Sequence, residues 1–168
     1  MLMAAVDAQL GSAAAQRTWV AALAVVGAGV ATYLALYQTR VTPGVWDPLF
    51  GASSSEAVLR SPVSRSLPVP DAAVGAVAYV AEAVLATIAG SDHQRSRPWL
   101  SIAFGGIIAV LAATAAMLVL VQLVLVHALC MLCLASAAIS WINLGLGHAD
   151  VAASLRLVMH ARVRRNTP

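Results

Sequence analysis

Lysine is absent from this chain, and charge of either sign is scarce. Only 10% of the 168 residues are charged, while 61% are hydrophobic. A soluble domain carries about a quarter of its residues charged, so a water-exposed globular domain is excluded. The net charge of +3 is modest, and the arginines are scattered or terminal. That leaves no basic stripe for nucleic acid. Cysteine occurs twice, as Cys130 and Cys133, too seldom for a disulfide scaffold. Structural zinc needs four ligands, and there is no second CxxC or nearby histidine pair, so no metal site is expected. Attachment of a c-type haem needs CxxCH, but Leu134 follows Cys133.

Long apolar runs are what the chain does have. A membrane-spanning helix needs roughly 20 mainly apolar residues. Thr18–Tyr37 supplies one, and Asp71–Ala89 a second with Glu82 inside it. Trp99–Gly147 is nearly free of charge. As one helix it would reach about 73 Å, against a hydrocarbon core of about 30 Å. It must therefore fold back, and Gln122 and His127 place the turn around Gln122–Ala128. The expected fold class is an all-α integral membrane bundle of four transmembrane helices, about 18–37, 71–89, 99–121 and 128–147. A long first loop, 38–70, joins the first two on the extracytoplasmic side.

Residues 1–17 are alanine-rich and read as a frayed tail or a short surface helix. They lack the basic start and compact apolar core of a cleaved signal. Residues 148–168 read as a basic amphipathic cytoplasmic tail, with Val151, Leu155 and Val158 on one face against the bilayer. Arginine placement sets the orientation. Arg17, Arg95, Arg97, Arg156, Arg162, Arg164 and Arg165 share one side; Arg40, Arg60 and Arg65 lie on the other. Both termini are thus expected inside a cell inner or plasma membrane. The cysteines then lie at the outer, oxidising face, where disulfides persist.

The CxxC pair is the chemical feature. Two sulfurs one helical turn apart can close into a disulfide and reopen, and a helix start favours the thiolate. His127, three residues earlier, could help hold a thiolate or relay a proton, or could simply end the turn. Glu82 is an ionisable group within a span; such groups turn inward and often carry function, which makes it a proton-relay candidate. Tyr79 lies on roughly the same face and offers a ring and a phenolic donor suited to a quinone, or to a core. Trp19 and Trp99 fit interface anchors. Residues 38–70 hold five of the seven prolines, and Ser53-Ser54-Ser55-Glu56 predicts a capping box opening a short helix through Leu59.

Four spans, a long first loop and CxxC at the start of the fourth span resemble the vitamin K epoxide reductase family. The likeness extends to Val58-Leu59-Arg60-Ser61-Pro62-Val63-Ser64-Arg65, then Val69-Pro70, Gly75 and Tyr79, over roughly residues 18–147. The resemblance implies a quinone-linked thiol–disulfide oxidoreductase. Cys133 would engage a ubiquinone or menaquinone, and Cys130 would exchange with incoming thiols. Ser61 matches the family's loop serine next to the pocket, and Asp71 and Tyr79 match positions at the top of and within the second span; with His127 these are the expected quinone-binding residues. Members of that family usually carry two further cysteines in the first loop, which pass electrons from a thioredoxin-like partner. Trp46 and Ser55 stand at the matching positions here, and Pro68 replaces a usual glycine. Either an external dithiol reaches Cys130 directly, or the chain is a non-catalytic or quinone-binding subunit. A small carrier built on Glu82 is a third reading, without the repeated or broken helices that carriers often show.

Overall fold

The computed structural model describes residues 2–64, 68–88 and 98–166, with side chains described for 15–64, 68–88, 100 and 102–148. Helix α1 (Leu2–Gln38) leads through residues 39–70, which carry the short helix α2 (Ala52–Leu59), into α3 (Asp71–Ile88). Helix α4 (Pro98–Val121) continues as a π-helical turn, Gln122–Val126, before α5 (Met131–Asn166). No strand occurs among the described residues. Four stretches are long and apolar enough to cross a membrane: Ala15–Gln38, Asp71–Ile88, Ile102–Val126 and Met131–His148. Four spans match the number the sequence led us to expect, but the turn expected at Gln122–Ala128 falls at 127–130, because Gln122–Val126 stays helical.

Three local readings change. The alanine-rich start is not a separate surface helix, because the backbone of α1 is helical from Leu2. Alanine favours helix and no proline interrupts the run. The C-terminal tail likewise continues α5 to Asn166; its side chains lie outside the described residues, as do residues 65–67 and the arginines of the second loop. The short helix exists but not the capping box: Gly51, at φ 85, is its N-cap, with no side-chain cap bond. The hydroxyls of Ser54 and Ser55 are taken up elsewhere, as described below.

The four long helices form a square. α1 packs on α3 and on α5, and α4 packs on α5 and on α3. α3 and α5 therefore face each other across the axis, where only long side chains can meet. Three apolar clusters fill the interior. Leu34, Tyr37, Val45, Val58, Leu59 and Cys130 close the cysteine end. Ala24, Ala31, Tyr79, Leu111 and Ile139 fill the middle, and Val20, Ala86, Phe104 and Ile108 the opposite end. Val25, Val77, Val110, Leu120 and Val124 stay exposed on the outside, the surface lipid would cover.

Small residues on α1 let α3 come close. A Cβ at Gly27 would sit 2.7 Å from the Tyr79 ring, whereas one at Gly29 would meet nothing within 4 Å. Gly27→Val should therefore cost about 1–3 kcal/mol by overpacking, and Gly29→Val almost nothing. Thermal unfolding of the two variants in detergent micelles checks this; equal midpoints would refute the close approach.

Candidate functional site

The turn between α4 and α5 is built to present a helix start. The π-helical turn ends at His127, which takes left-handed φ 51 and so reverses the chain. Ala128 N–H then donates to the Gln122 carbonyl at 3.3 Å. The Gln122 side chain is buried and accepts the Cys130 N–H through Oε1 at 3.0 Å. Cys130 therefore stands just before α5, not in its first turn. Its Sγ accepts the Cys133 N–H at 3.2 Å and its carbonyl accepts the Leu134 N–H at 3.0 Å. A thiol here occupies the role usually taken by an N-cap oxygen. No disulfide joins the two sulfurs in this structure; Cys130 is fully buried and Cys133 partly exposed.

The segment before α3 is pinned onto this helix start by hydroxyls and one carboxylate. Asp47 Oδ2 accepts the Met131 N–H at 2.9 Å and the Ser55 hydroxyl at 2.5 Å. Its Oδ1 accepts the N–H groups of Leu49 at 3.1 Å and Phe50 at 2.8 Å. Ser54 Oγ donates to the Leu129 carbonyl at 2.7 Å and accepts the Leu129 N–H at 3.0 Å. Desolvation pushes the Asp47 carboxyl up, but the Ser55 hydroxyl and the N–H groups of Met131, Phe50 and Leu49 outweigh it, holding it at about 2. The Cys130 thiol is drawn down to about 7. The Cys133 thiol beside it is the largest cause, aided by the Ser55 hydroxyl and the Cys133 N–H, against burial and the Asp47 charge.

The other expected residues divide into two groups. Ser61 and Asp71 belong to a network at the cysteine end of α3. Asp71 accepts from Gln38 Nε2 at 2.5 Å and from the Ser64 hydroxyl at 2.7 Å, and Ser61 Oγ accepts the Ser64 N–H at 3.3 Å. Tyr79 and Glu82 lie two to three turns deeper. The Tyr79 hydroxyl meets the Ser136 carbonyl at 2.7 Å and Ser140 Oγ at 2.6 Å. Glu82 accepts from Asn143 Nδ2 at 2.9 Å. The His127 ring makes no hydrogen bond among the described residues. Trp46 is 65% exposed and Ser55 wholly buried, so the two positions expected to match the loop cysteines face different surroundings.

A cavity of about 610 Å³ opens beside the Asp71 network, walled by Gln38, Ser64, Tyr37, Arg40 and Arg60. Neither cysteine lines it. The reading of the sequence missed Asp47, Ser54, Gln122 and Asn143. A signal existed for Asn143: Cys133, Ser136, Ser140 and Asn143 follow one another at helical spacings of three, four and three, which puts them on one face. Among the described residues no group of histidine, cysteine and acidic side chains could hold a metal ion. Residues 18–147 match the model of the Vitamin K epoxide reductase family. No curated protein matches the chain.

Proposed function

The chain belongs to the vitamin K epoxide reductase family, and from that premise we propose that it oxidises an outside dithiol through Cys130 and Cys133 and passes the electrons to a quinone. At the coarse level, four membrane-crossing helices and the family make it a multi-pass membrane protein of the quinone-linked thiol oxidoreductase kind. The observation that carries the finer reading is Cys130 at the N-cap of α5 with its sulfur on the Cys133 N–H. A thiol held there at about 7 is a good attacking and leaving group near neutral pH.

The surroundings of Cys133 suit a quinone. Val30, Tyr33, Ala72 and Val126 join the partly exposed thiol in one apolar cluster. One turn deeper, the buried Ser136 hydroxyl has no partner and is free to donate to a carbonyl oxygen. When bound, a quinone supplies acceptance of two electrons and two protons. Ser136 would orient it. Tyr79, already bonded to the Ser136 carbonyl, would hold that turn of α5 in place. Ser61, Asp71 and His127 would form the rim at the cysteine end. In the thiol half, a dithiol attacks one sulfur of the closed pair, the Cys130–Cys133 bond breaks, and the donor leaves as a disulfide. By the arginine bias the cysteine end faces the extracytoplasmic space, with both termini inside, and a thioredoxin-like protein there is the natural donor.

Complete burial of Cys130 and the serine at position 55 favour a second reading, a quinone-binding subunit without thiol turnover. Purified full-length protein in liposomes, given dithiothreitol and a short-chain ubiquinone, separates the two. Quinone reduction is expected, falling at least about 100-fold in Cys133→Ser. Unchanged reduction in that variant refutes the assignment. No reduction by the unaltered protein, with quinone still bound, leaves the second reading.

A further inference from the structure

α3 and α5 meet across the bundle axis at two polar rungs. The first is Tyr79 with Ser140 and the Ser136 carbonyl. The second lies one turn deeper, where Asn143 Nδ2 donates to Glu82 Oε1 at 2.9 Å. Glu82 and Asn143 are both fully buried. Their remaining oxygens, Glu82 Oε2 and Asn143 Oδ1, have no hydrogen-bond partner. Two bare acceptors beside each other are costly to bury. A hydrogen on Glu82 Oε2, donated to Asn143 Oδ1, gives both a partner without any further group.

Among the described residues, no basic side chain lies on the stretches packed around Glu82 to hold a carboxylate instead. Between Arg17 and Gln38, α1 carries no charged residue; α4 carries none at all; α5 carries none from Met131 to Gly147. The titratable groups facing Glu82 reduce to the Tyr79 hydroxyl on its own helix. An unpaired charge in such an interior is expensive.

We propose that Glu82 stands as a neutral acid closed into a two-point ring with the Asn143 amide, and that it is the proton donor for the cysteine end of the bundle. This rests on the thiol–quinone reading above. The two rungs are about 5 Å apart, one helical turn, a gap that one ordered water bridges. Beyond the Tyr79–Ser140 pair comes the unpartnered Ser136 hydroxyl, and one turn further Cys133. In the step, the Glu82 Oε2–H bond breaks and one water carries the proton to the Tyr79–Ser140 pair. A second water bridges from that pair to the Ser136 hydroxyl, which makes no hydrogen bond of its own; each oxygen takes one proton and gives up its own. Ser136 passes its proton to the acceptor oxygen beside Cys133, the acceptor's second proton comes from the Cys133 thiol, and the Cys130 proton leaves to water at the cysteine end as the Cys130–Cys133 bond forms. Electrons move only between sulfur and acceptor. The Glu82 carboxylate regains a proton from the far end of α3, where Ile88 lies about 9 Å away along the helix axis.

Glu82→Gln keeps the size and a donor and acceptor for Asn143 but holds no transferable proton. Two measurements on full-length protein in liposomes test the proposal. Infrared difference spectra should show the carbonyl band of a protonated carboxylic acid at neutral pH, absent in Glu82→Gln and shifted in Asn143→Leu. Turnover with dithiothreitol and short-chain ubiquinone should fall about 100-fold in Glu82→Gln. The KM for the quinone should stay within about twofold, Cys130 alkylation should be unchanged, and Glu82→Asp should restore part of the rate. A merely structural glutamate would leave the rate intact in the glutamine variant. A carboxylate band in the unaltered protein, or full turnover in Glu82→Gln, overturns the proposal. If the unaltered protein turns over no quinone, the thiol–quinone reading and the donor role fall together, and the infrared band alone then decides the neutral pair.

Discussion

Asp47→Ala is expected to lower the unfolding free energy by about 2–4 kcal/mol, one of the larger losses any single side chain here should give. Four donors converge on this carboxylate, from Met131, Ser55, Leu49 and Phe50. Two of them belong to its own turn. The other two tie α2 and the N-terminus of α5 to the segment between α1 and α3. Alanine strips the acceptor from all four and leaves the Ser55 hydroxyl buried without its partner. The same change should speed alkylation of Cys130. The negative charge that opposes its ionisation is gone, the Ser55 hydroxyl is released toward the sulfur, and the cover over a fully buried thiol loosens. A less stable protein whose Cys130 labels several times faster is the expected pair of results, read by thermal unfolding and by mass spectrometry of alkylated protein. Equal labelling would show that Asp47 does not govern the thiol.

Acid should act through the same group. The folded carboxyl sits at about 2, below the ordinary value of 3.8. A depressed acid stabilises the fold above the unfolded value and loses that contribution as pH falls through the folded one. Asp47 should therefore contribute fully above about pH 4 and nothing below about pH 2. The site lies at the end of the bundle, where water screens it, so the contribution is about 1–2 kcal/mol. Asp47→Ala should flatten that limb of the stability curve.

Hydropathy made the spans legible, because the apolar runs match the bilayer thickness and Gln122 and His127 mark the turn within the last of them. The cysteine pair was equally plain, since no other residues in the sequence offer thiol chemistry. Its setting was hidden. Ser54 and Ser55 look like a local cap, yet their hydroxyls serve Leu129, 75 residues away, and Asp47. Asp47 followed by Pro48 reads as a turn, and nothing local announces that its second oxygen holds Met131, 84 residues on. Tertiary partners outbid short-range preferences at just these places. Asn143 differs in kind: its position on the Cys133 face was readable from helical spacing, but its pairing with Glu82 depends on how α3 and α5 are brought across the axis.

Ser55→Cys should capture Cys130. The Ser55 side chain is wholly buried, its hydroxyl bonds to Asp47, and it helps draw the Cys130 thiol down. A sulfur in that place is expected to reach the Cys130 sulfur, given that a disulfide asks for Cβ atoms about 3.5–4.5 Å apart. On mild oxidation the introduced thiol should bond to Cys130 and leave Cys133 as the free, alkylatable thiol. The new link closes a loop of some 75 residues, adding about 4 kcal/mol in the chain-entropy account. It also locks α2 onto the start of α5. With dithiothreitol as donor, quinone reduction by the oxidised variant should begin only after a lag, while the link is opened, whereas the unaltered protein shows none. Peptide mapping of the alkylated protein gives the answer directly. If Cys130 still pairs with Cys133 and the introduced thiol takes the label, then position 55 does not stand over the redox pair. The segment before α3 would then be no route by which a donor's electrons could reach Cys130.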